Sequence, residues 1–220
     1  MERKIKFAVG EYYHVYNRGV EKRKIFQETR DYERFSKTLR LANGTKAVVF
    51  KTSQGASLDK VGLGERLIAV GAYVLMPNHF HILVKEIKEG GLTNFMKKLT
   101  TSYAMYFNKK YERVGSLFQK PFKAEHVDND RYLKYLLAYI HLNPVKVLEP
   151  SWKENGIIDT KKTLAFAENY KYSSSLDYLG KQRVEKAILS LEKFPDYFKN
   201  RKDFSDFHKD WLRLKTVQGA

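Results

Sequence analysis

The stretch Tyr73-Val-Leu-Met-Pro-Asn-His79-Phe-His81-Ile-Leu-Val84 constrains this chain more than any other. It reads as two apolar strands, Leu67–Met76 and His79–Ile87, folded back on each other at Pro77-Asn78. Side chains alternate along a strand, so His79 and His81 share one face while Phe80 points to the other, where a ring helps fill a core. Two neutral imidazoles side by side make half of a divalent-metal site. Equally, they are two polar residues on the solvated face of an amphipathic strand. Spacing alone does not separate these readings.

The segments before and after build a frame around that hairpin. Glu11–Asn17 is aromatic and β-branched and reads as a strand. Its exit, Asn17-Arg18-Gly19, leads into the basic loop Glu21-Lys22-Arg23-Lys24, either a solvated turn or a phosphate contact. Thr29–Leu41 follows as a helix, with Thr29 as its N-cap and Tyr32, Phe35 and Leu39 at helical spacing. Residues 43–66 have loop composition and read as an insertion or flap. Beyond the hairpin, Gly90-Gly91 opens a helix over Leu92–Tyr111. A strand is expected over Leu117–Val127, with Pro121 marking an edge or bulge. Asp128 or Asp130 then caps a helix over Arg131–Asn143, which Pro144 ends.

The order is strand, helix, strand, strand, helix, strand, helix. That is an α+β, ferredoxin-like split βαβ sandwich, an antiparallel sheet with helices on one face, plus one further helix. Residues 1–150 are expected to form this domain. Residues 151–220 are expected to form a helical extension packed on it, with helical patterns near Lys181–Glu192 and Arg201–Leu214.

Composition bounds the partners. The chain of 220 residues carries 41 Lys and Arg against 25 Asp and Glu, a formal net charge of +16. Such a surplus points to a polyanion, nucleic acid before an anionic membrane surface. No apolar run approaches the ~20 residues of a membrane span. The N-terminus, Met1-Glu-Arg-Lys-Ile-Lys, lacks the apolar core of a signal peptide, so a cytoplasmic protein is expected. There is no Cys, which excludes disulfides, thiolate-ligated zinc and a thiol nucleophile.

On the Arg131–Asn143 helix, Leu133, Leu136, Leu137 and Ile140 form the apolar stripe, with Tyr132, Tyr139 and Asn143 along its border. Tyr139 and Asn143 are four apart and so neighbours. Each also has a bland role, as a half-buried aromatic and as a stop residue before proline. His79-Phe80-His81 followed by Tyr139-Ile-His-Leu-Asn143-Pro144 resembles the single-tyrosine HUH transposases, most closely the REP-associated tyrosine transposases, relatives of the short insertion-sequence transposases. Tyr13-His-Val-Tyr-Asn-Arg-Gly19, Tyr73–Asn78 and Tyr172-Ser-Ser-Ser175 add to the resemblance, which spans roughly residues 10–180.

The resemblance implies that His79, His81 and Asn143 hold a divalent ion, Mg²⁺ or Mn²⁺, and that Tyr139 is the nucleophile. Tyr103 and Tyr135 are the tyrosines to distinguish from it. The implied reaction is cleavage and rejoining of single-stranded DNA at hairpin or palindromic repeats through a 5′-phosphotyrosine, by a monomer or homodimer. Arg18, Lys22, Arg23, Lys24, Lys120, Lys123 and Lys146 are the candidate backbone contacts, and the many Tyr and Phe could stack bases. Two other readings remain: a catalytically inactive hairpin-binding protein for DNA or RNA, and a metallohydrolase. The second lacks an acidic base near His79 closer in sequence than Glu86.

Overall fold

The structure, a computed structural model, describes residues 5–48, 50, 58, 61–119, 121–152 and 156–217, with the side chains of 214–217 excepted. Four strands, β1 (Tyr12–Arg18), β2 (Ile68–Met76), β3 (His79–Glu86) and β4 (Lys123–Val127), form one sheet in the order β2-β3-β1-β4. Every neighbouring pair is antiparallel. With helices α1 (Thr29–Ala42) and α2 (Gly91–Lys110) between them, this is the expected split βαβ arrangement.

The alternation along each strand decides what covers each face. Tyr13, Val15, Phe80, Ile82 and Val84 meet Phe35 and Leu39 of α1 and Phe95, Leu99, Tyr103 and Phe107 of α2. The other face is covered by α3 (Asp130–His141), whose Leu133, Leu136, Leu137 and Ile140 pack on Ala72, Val74, Met76 and Leu83. Helices thus lie on one face as expected for the two crossovers, and the further helix takes the opposite face. All nine residues of β2 are buried, which explains its unbroken apolar run.

Several expected boundaries move, each for a local reason. Helix α1 is capped by Glu28 rather than Thr29, because Glu28 and Asp31 form a reciprocal capping box. Strand β4 starts only at Lys123: Pro121 interrupts the segment, and Phe118 makes an isolated bridge to Gly19 instead. Asn129, not either aspartate, caps α3 by accepting from the Tyr132 N–H at 2.8 Å. Helix α3 ends at His141, so Asn143 lies in the turn leading into the short helix α4 (Val145–Leu148). The centre of the expected loop over 43–66 lies outside the described residues. Its base is tied down, with the Asn43 side chain bonded to Leu67 N, Ile68 N and Ile68 O.

Beyond residue 150, helices α5 (Thr160–Glu168) and α7 (Arg201–Val217) and the single turn α6 (Ser175–Tyr178) fold back on the sheet domain. Helix α5 was not expected. The pattern near Lys181–Glu192 resolves into 3₁₀ turns at Val184–Ile188 and Leu191–Lys193. Tyr172–Ser174 runs along β2, with Leu75 N donating to Tyr172 O at 2.9 Å, Ser174 N to Tyr73 O at 3.0 Å, and Ser173 bridged to Val74. Arg183 clamps this segment through Asp177, Ser173 O, Lys171 O and the Tyr73 hydroxyl. Ser174 Oγ receives the Tyr73 N–H and lies 2.8 Å from His141 Nε2, so one side chain ties α3 to the sheet.

Candidate functional site

Strand pairing brings the site together. In the β1–β3 register Arg18 lies opposite His79 and Tyr16 opposite His81, so the α3 face carries a guanidinium beside one imidazole and a phenol beside the other at one end of the sheet. The turn before His79 is anchored from the basic loop: Gly19 N donates to Asn78 O at 2.9 Å, and Ile25 N to Pro77 O at 2.9 Å. The Asn78 carboxamide gives its N–H to Lys22 O at 3.1 Å and lies 2.6 Å, through Oδ1, from His79 Nδ1. An amide oxygen is only an acceptor, so His79 is protonated at Nδ1 and carries its lone pair on Nε2.

His81 is oriented by a residue the sequence argument did not single out. Its Nδ1 is 2.8 Å from His14 Nε2. His14 Nδ1 in turn faces the Glu125 carboxylate at 3.7 Å. A proton on that side of His14 leaves its Nε2 to accept from His81 Nδ1–H, and His81 then carries its lone pair on Nε2. Glu125 also accepts from the hydroxyls of Tyr16 at 2.8 Å and Tyr132 at 3.0 Å. The acidic group missing near His79 in the sequence is therefore supplied by β4, already engaged with two tyrosines and a histidine. Alternation on β1 puts His14, Tyr16 and Arg18 on one face, but only the β1–β3 and β1–β4 registers reveal what they meet.

Burial holds these imidazoles neutral. His79 is pushed down to about 4, opposed by the Asn143 carboxamide and reinforced by the charges of Arg18 and Lys146. His14 is likewise lowered to about 4 by burial. His81 sits well below the usual range, through burial and then its neighbours His14, His79 and Lys146. Neutral imidazoles are the metal-binding form.

Tyr139 projects from α3 with its ring centroid 5.4 Å from that of His81 and 5.8 Å from that of His14. Its hydroxyl is held protonated by burial, opposed by Asn143. Asn143 is buried, and its Oδ1 makes no hydrogen bond of good geometry although it lies close enough to His79 to act on that ring. Two lone-pair imidazoles and a buried, under-used carboxamide oxygen fit a divalent ion with mixed nitrogen and oxygen preference. Among the described residues no group of three or more His, Cys, Asp or Glu offers an alternative.

The competing tyrosines differ. Tyr103 is buried on the opposite face and donates to Ile25 O at 2.5 Å. Tyr135 lies one turn before Tyr139 and rests on Trp211 of α7, ring centroids 5.0 Å apart. Of the candidate backbone contacts, Arg18 and Lys146 act electrostatically on His79. Lys123 reaches over the Tyr16 ring at 5.9 Å. Arg23 is turned into its own loop, bonded to Glu21 at 2.8 Å and Val20 O at 3.2 Å. Lys22 and Lys24 are exposed there, and Lys120 lies outside the described residues.

Residues 63–143 match the family model "Transposase IS200 like", a span that ends on Asn143 and contains His79, His81 and Tyr139. Among solved structures, a REP-associated tyrosine transposase bound to a REP hairpin aligns over 90% of this chain and 99% of its own, at 15% identity and a TM-score of 0.48. A tRNA(His) guanylyltransferase from Saccharomyces cerevisiae aligns over 92% and 90%, at 13% identity and a TM-score of 0.38. Comparison with curated protein sequences gives no significant match.

Proposed function

Residues 63–143 carry the IS200-like transposase pattern, and from that premise we propose that the chain is a single-stranded DNA transposase and endonuclease acting through a tyrosine nucleophile. The observation that carries the reading is the convergence of Tyr139, His79, His81 and Asn143 on one end of the sheet from β3, α3 and the turn after it. In this reading residues 1–150 are the catalytic domain and residues 151–220 an extension that supports it.

Tyr139 Oη forms a bond to a backbone phosphorus as the bond to the 3′ oxygen breaks. The product is a 5′-phosphotyrosine and a free 3′-hydroxyl, which gains the proton the phenol gives up. A phenol with an ordinary pKa of ~10 both attacks and leaves more readily than an aliphatic alcohol. His79, His81 and Asn143 would hold the divalent ion, Mn²⁺ or Mg²⁺, which when bound polarises the phosphate and stabilises charge on the leaving oxygen. His14 and Asn78 keep the two imidazoles in the tautomers that present Nε2. Arg18 and Lys146 flank the imidazoles and draw a phosphate towards them. DNA with hairpin or palindromic repeats is the proposed partner.

The test is a denaturing gel of labelled hairpin DNA with Mn²⁺, followed by peptide mapping of any adduct. Wild type should form a covalent adduct on Tyr139, Tyr139→Phe none, and Tyr135→Phe and Tyr103→Phe should retain it. An adduct on Tyr135 moves the nucleophile by one turn. No adduct despite tight hairpin binding makes the chain an inactive binder of the same fold.

A further inference from the structure

Beside Tyr139 the outer side of α3 faces α7 across a cleft lined by Tyr135, Ala138, Leu142, Asn143, Lys146, Trp152 and Trp211 as well as Tyr139 itself. Tyr139, Asn143 and Lys146 belong to the step described above, while Tyr135, Ala138, Leu142 and the two tryptophans have no part in it. Its floor is apolar and buried, formed by Ala138, Leu142 and Trp152. Its rim is half-buried and consists of three aromatic rings and one cation: Tyr135, Tyr139, Trp211 and Lys146. The chain has only two tryptophans, and both are here.

Two features distinguish this cleft from a packing fault. Trp152 is one of its lining residues, and the indole N–H of that side chain is buried without a hydrogen-bond partner. The cleft also shares Tyr139, Asn143 and Lys146 with the imidazole site, so whatever enters it lies beside the proposed nucleophile.

Resting on the function proposed above, we infer that this cleft is a nucleobase subsite: it takes an unpaired base of the strand next to the scissile phosphate. The enclosed space is about 50 Å³. That holds a few waters and not a whole base. The base therefore enters only by an edge. Its face lies on the Trp211 and Tyr135 rings at the mouth, and Lys146 meets the adjoining phosphate. Aromatic stacking is sequence-tolerant because every base has a π-face. The subsite thus positions a strand and leaves sequence choice to other contacts. Helix α7, outside the matched family region of residues 63–143, supplies one wall of it.

Because both tryptophans line the cleft, intrinsic fluorescence of the full chain reads it selectively. The wild-type protein, without divalent ion so that no strand is cut, is titrated with a short single-stranded oligonucleotide of mixed sequence and with its abasic counterpart of equal length. Affinities are followed in parallel by anisotropy of a labelled end. The base-bearing strand should quench the tryptophans and the abasic strand should bind without quenching. Trp211→Ala should weaken the base-bearing strand about tenfold and leave the abasic one unchanged. Trp211→Phe should restore most of the affinity, which separates lost stacking from lost folding. Equal quenching by both strands, or a folded Trp211→Ala with wild-type affinity, overturns the subsite and leaves the nuclease reading standing. Failure of either strand to bind at low salt overturns both.

Discussion

His14 Nε2 and His81 Nδ1 lie 2.8 Å apart across neighbouring strands, with Glu125 behind His14. A buried imidazole thus sets the tautomer of another that presents its far nitrogen to the site. His14→Phe keeps an aromatic ring in the strand but removes this partner. We expect Mn²⁺ affinity, measured by electron paramagnetic resonance titration, to fall by roughly 10- to 100-fold, with the circular dichroism spectrum unchanged. An affinity equal to wild type would mean that His14 is only filler.

Charge around the imidazoles should be readable as a salt slope. Arg18 and Lys146 both act on His79. If each meets one phosphate of a single strand, Arg18→Ala and Lys146→Ala should each reduce the slope of log affinity against log salt by about 0.7. Lys24→Ala, on the exposed loop, serves as the comparison. Unchanged slopes for the first two would remove them from the DNA path.

Stability should fall as the medium is acidified from about pH 6.5 towards 4. An unfolded chain takes up imidazole protons near 6.5. Folded, His14 and His79 do so only near 4, and His208 near 3, all because of burial. The unfolded state therefore binds more protons in that window, and each group withdraws up to a few kcal/mol as pH drops. Above about 6.5 these groups are neutral in both states and add no slope. The carboxyls of Glu86 and Asp177, raised by burial above their ordinary values of 4.5 and 3.8, work in the opposite direction above those values and offset part of the fall. Melting curves of wild type and His208→Leu across this range test the point, since the variant should lose less stability on acidification. Parallel curves would show that His208 is not a contributor.

Ser174 carries a tie that no apolar contact replaces. Its hydroxyl takes the Tyr73 N–H at 2.9 Å and contacts His141 Nε2 at 2.8 Å, all buried. Ser174→Ala leaves those groups unsatisfied and should cost about 1–3 kcal/mol, read as a lower urea midpoint. A midpoint within error of wild type would show that water or backbone takes over.

Much of this architecture is legible in the sequence where period and punctuation agree. The β2–β3 hairpin announces itself through Pro77-Asn78 between apolar runs, and the same-face pair His79 and His81 follows from alternation alone. What the sequence hides is whatever depends on partners distant along the chain. His14 looks like any polar residue in an aromatic strand until β3 and β4 are laid on either side of it. Glu125 was invisible as a neighbour of the histidines for the same reason. Trp211 becomes part of a cleft only because α7 crosses α3. The misread helix near Lys181–Glu192 is a different failure: a helical pattern overridden by docking, with Ser190 N donating to Val70 O at 2.9 Å and Phe194 against Gly71.

The two outer strands are finished at very different moments. β4 is short, with Pro121 just ahead of it and an exposed Lys123, so it discourages further pairing by itself. β2 is long and apolar, and its outer side is closed by Tyr172–Ser174, Tyr178 and Ser190, about a hundred residues or more further along the chain. A ribosome adding about 5–20 residues per second needs several seconds to make that cover. Throughout that interval the nascent sheet presents an open, hydrophobic border to its neighbours on the polysome. Yield in the cell should therefore depend on synthesis speed and chaperone supply as much as on the stability of the finished molecule.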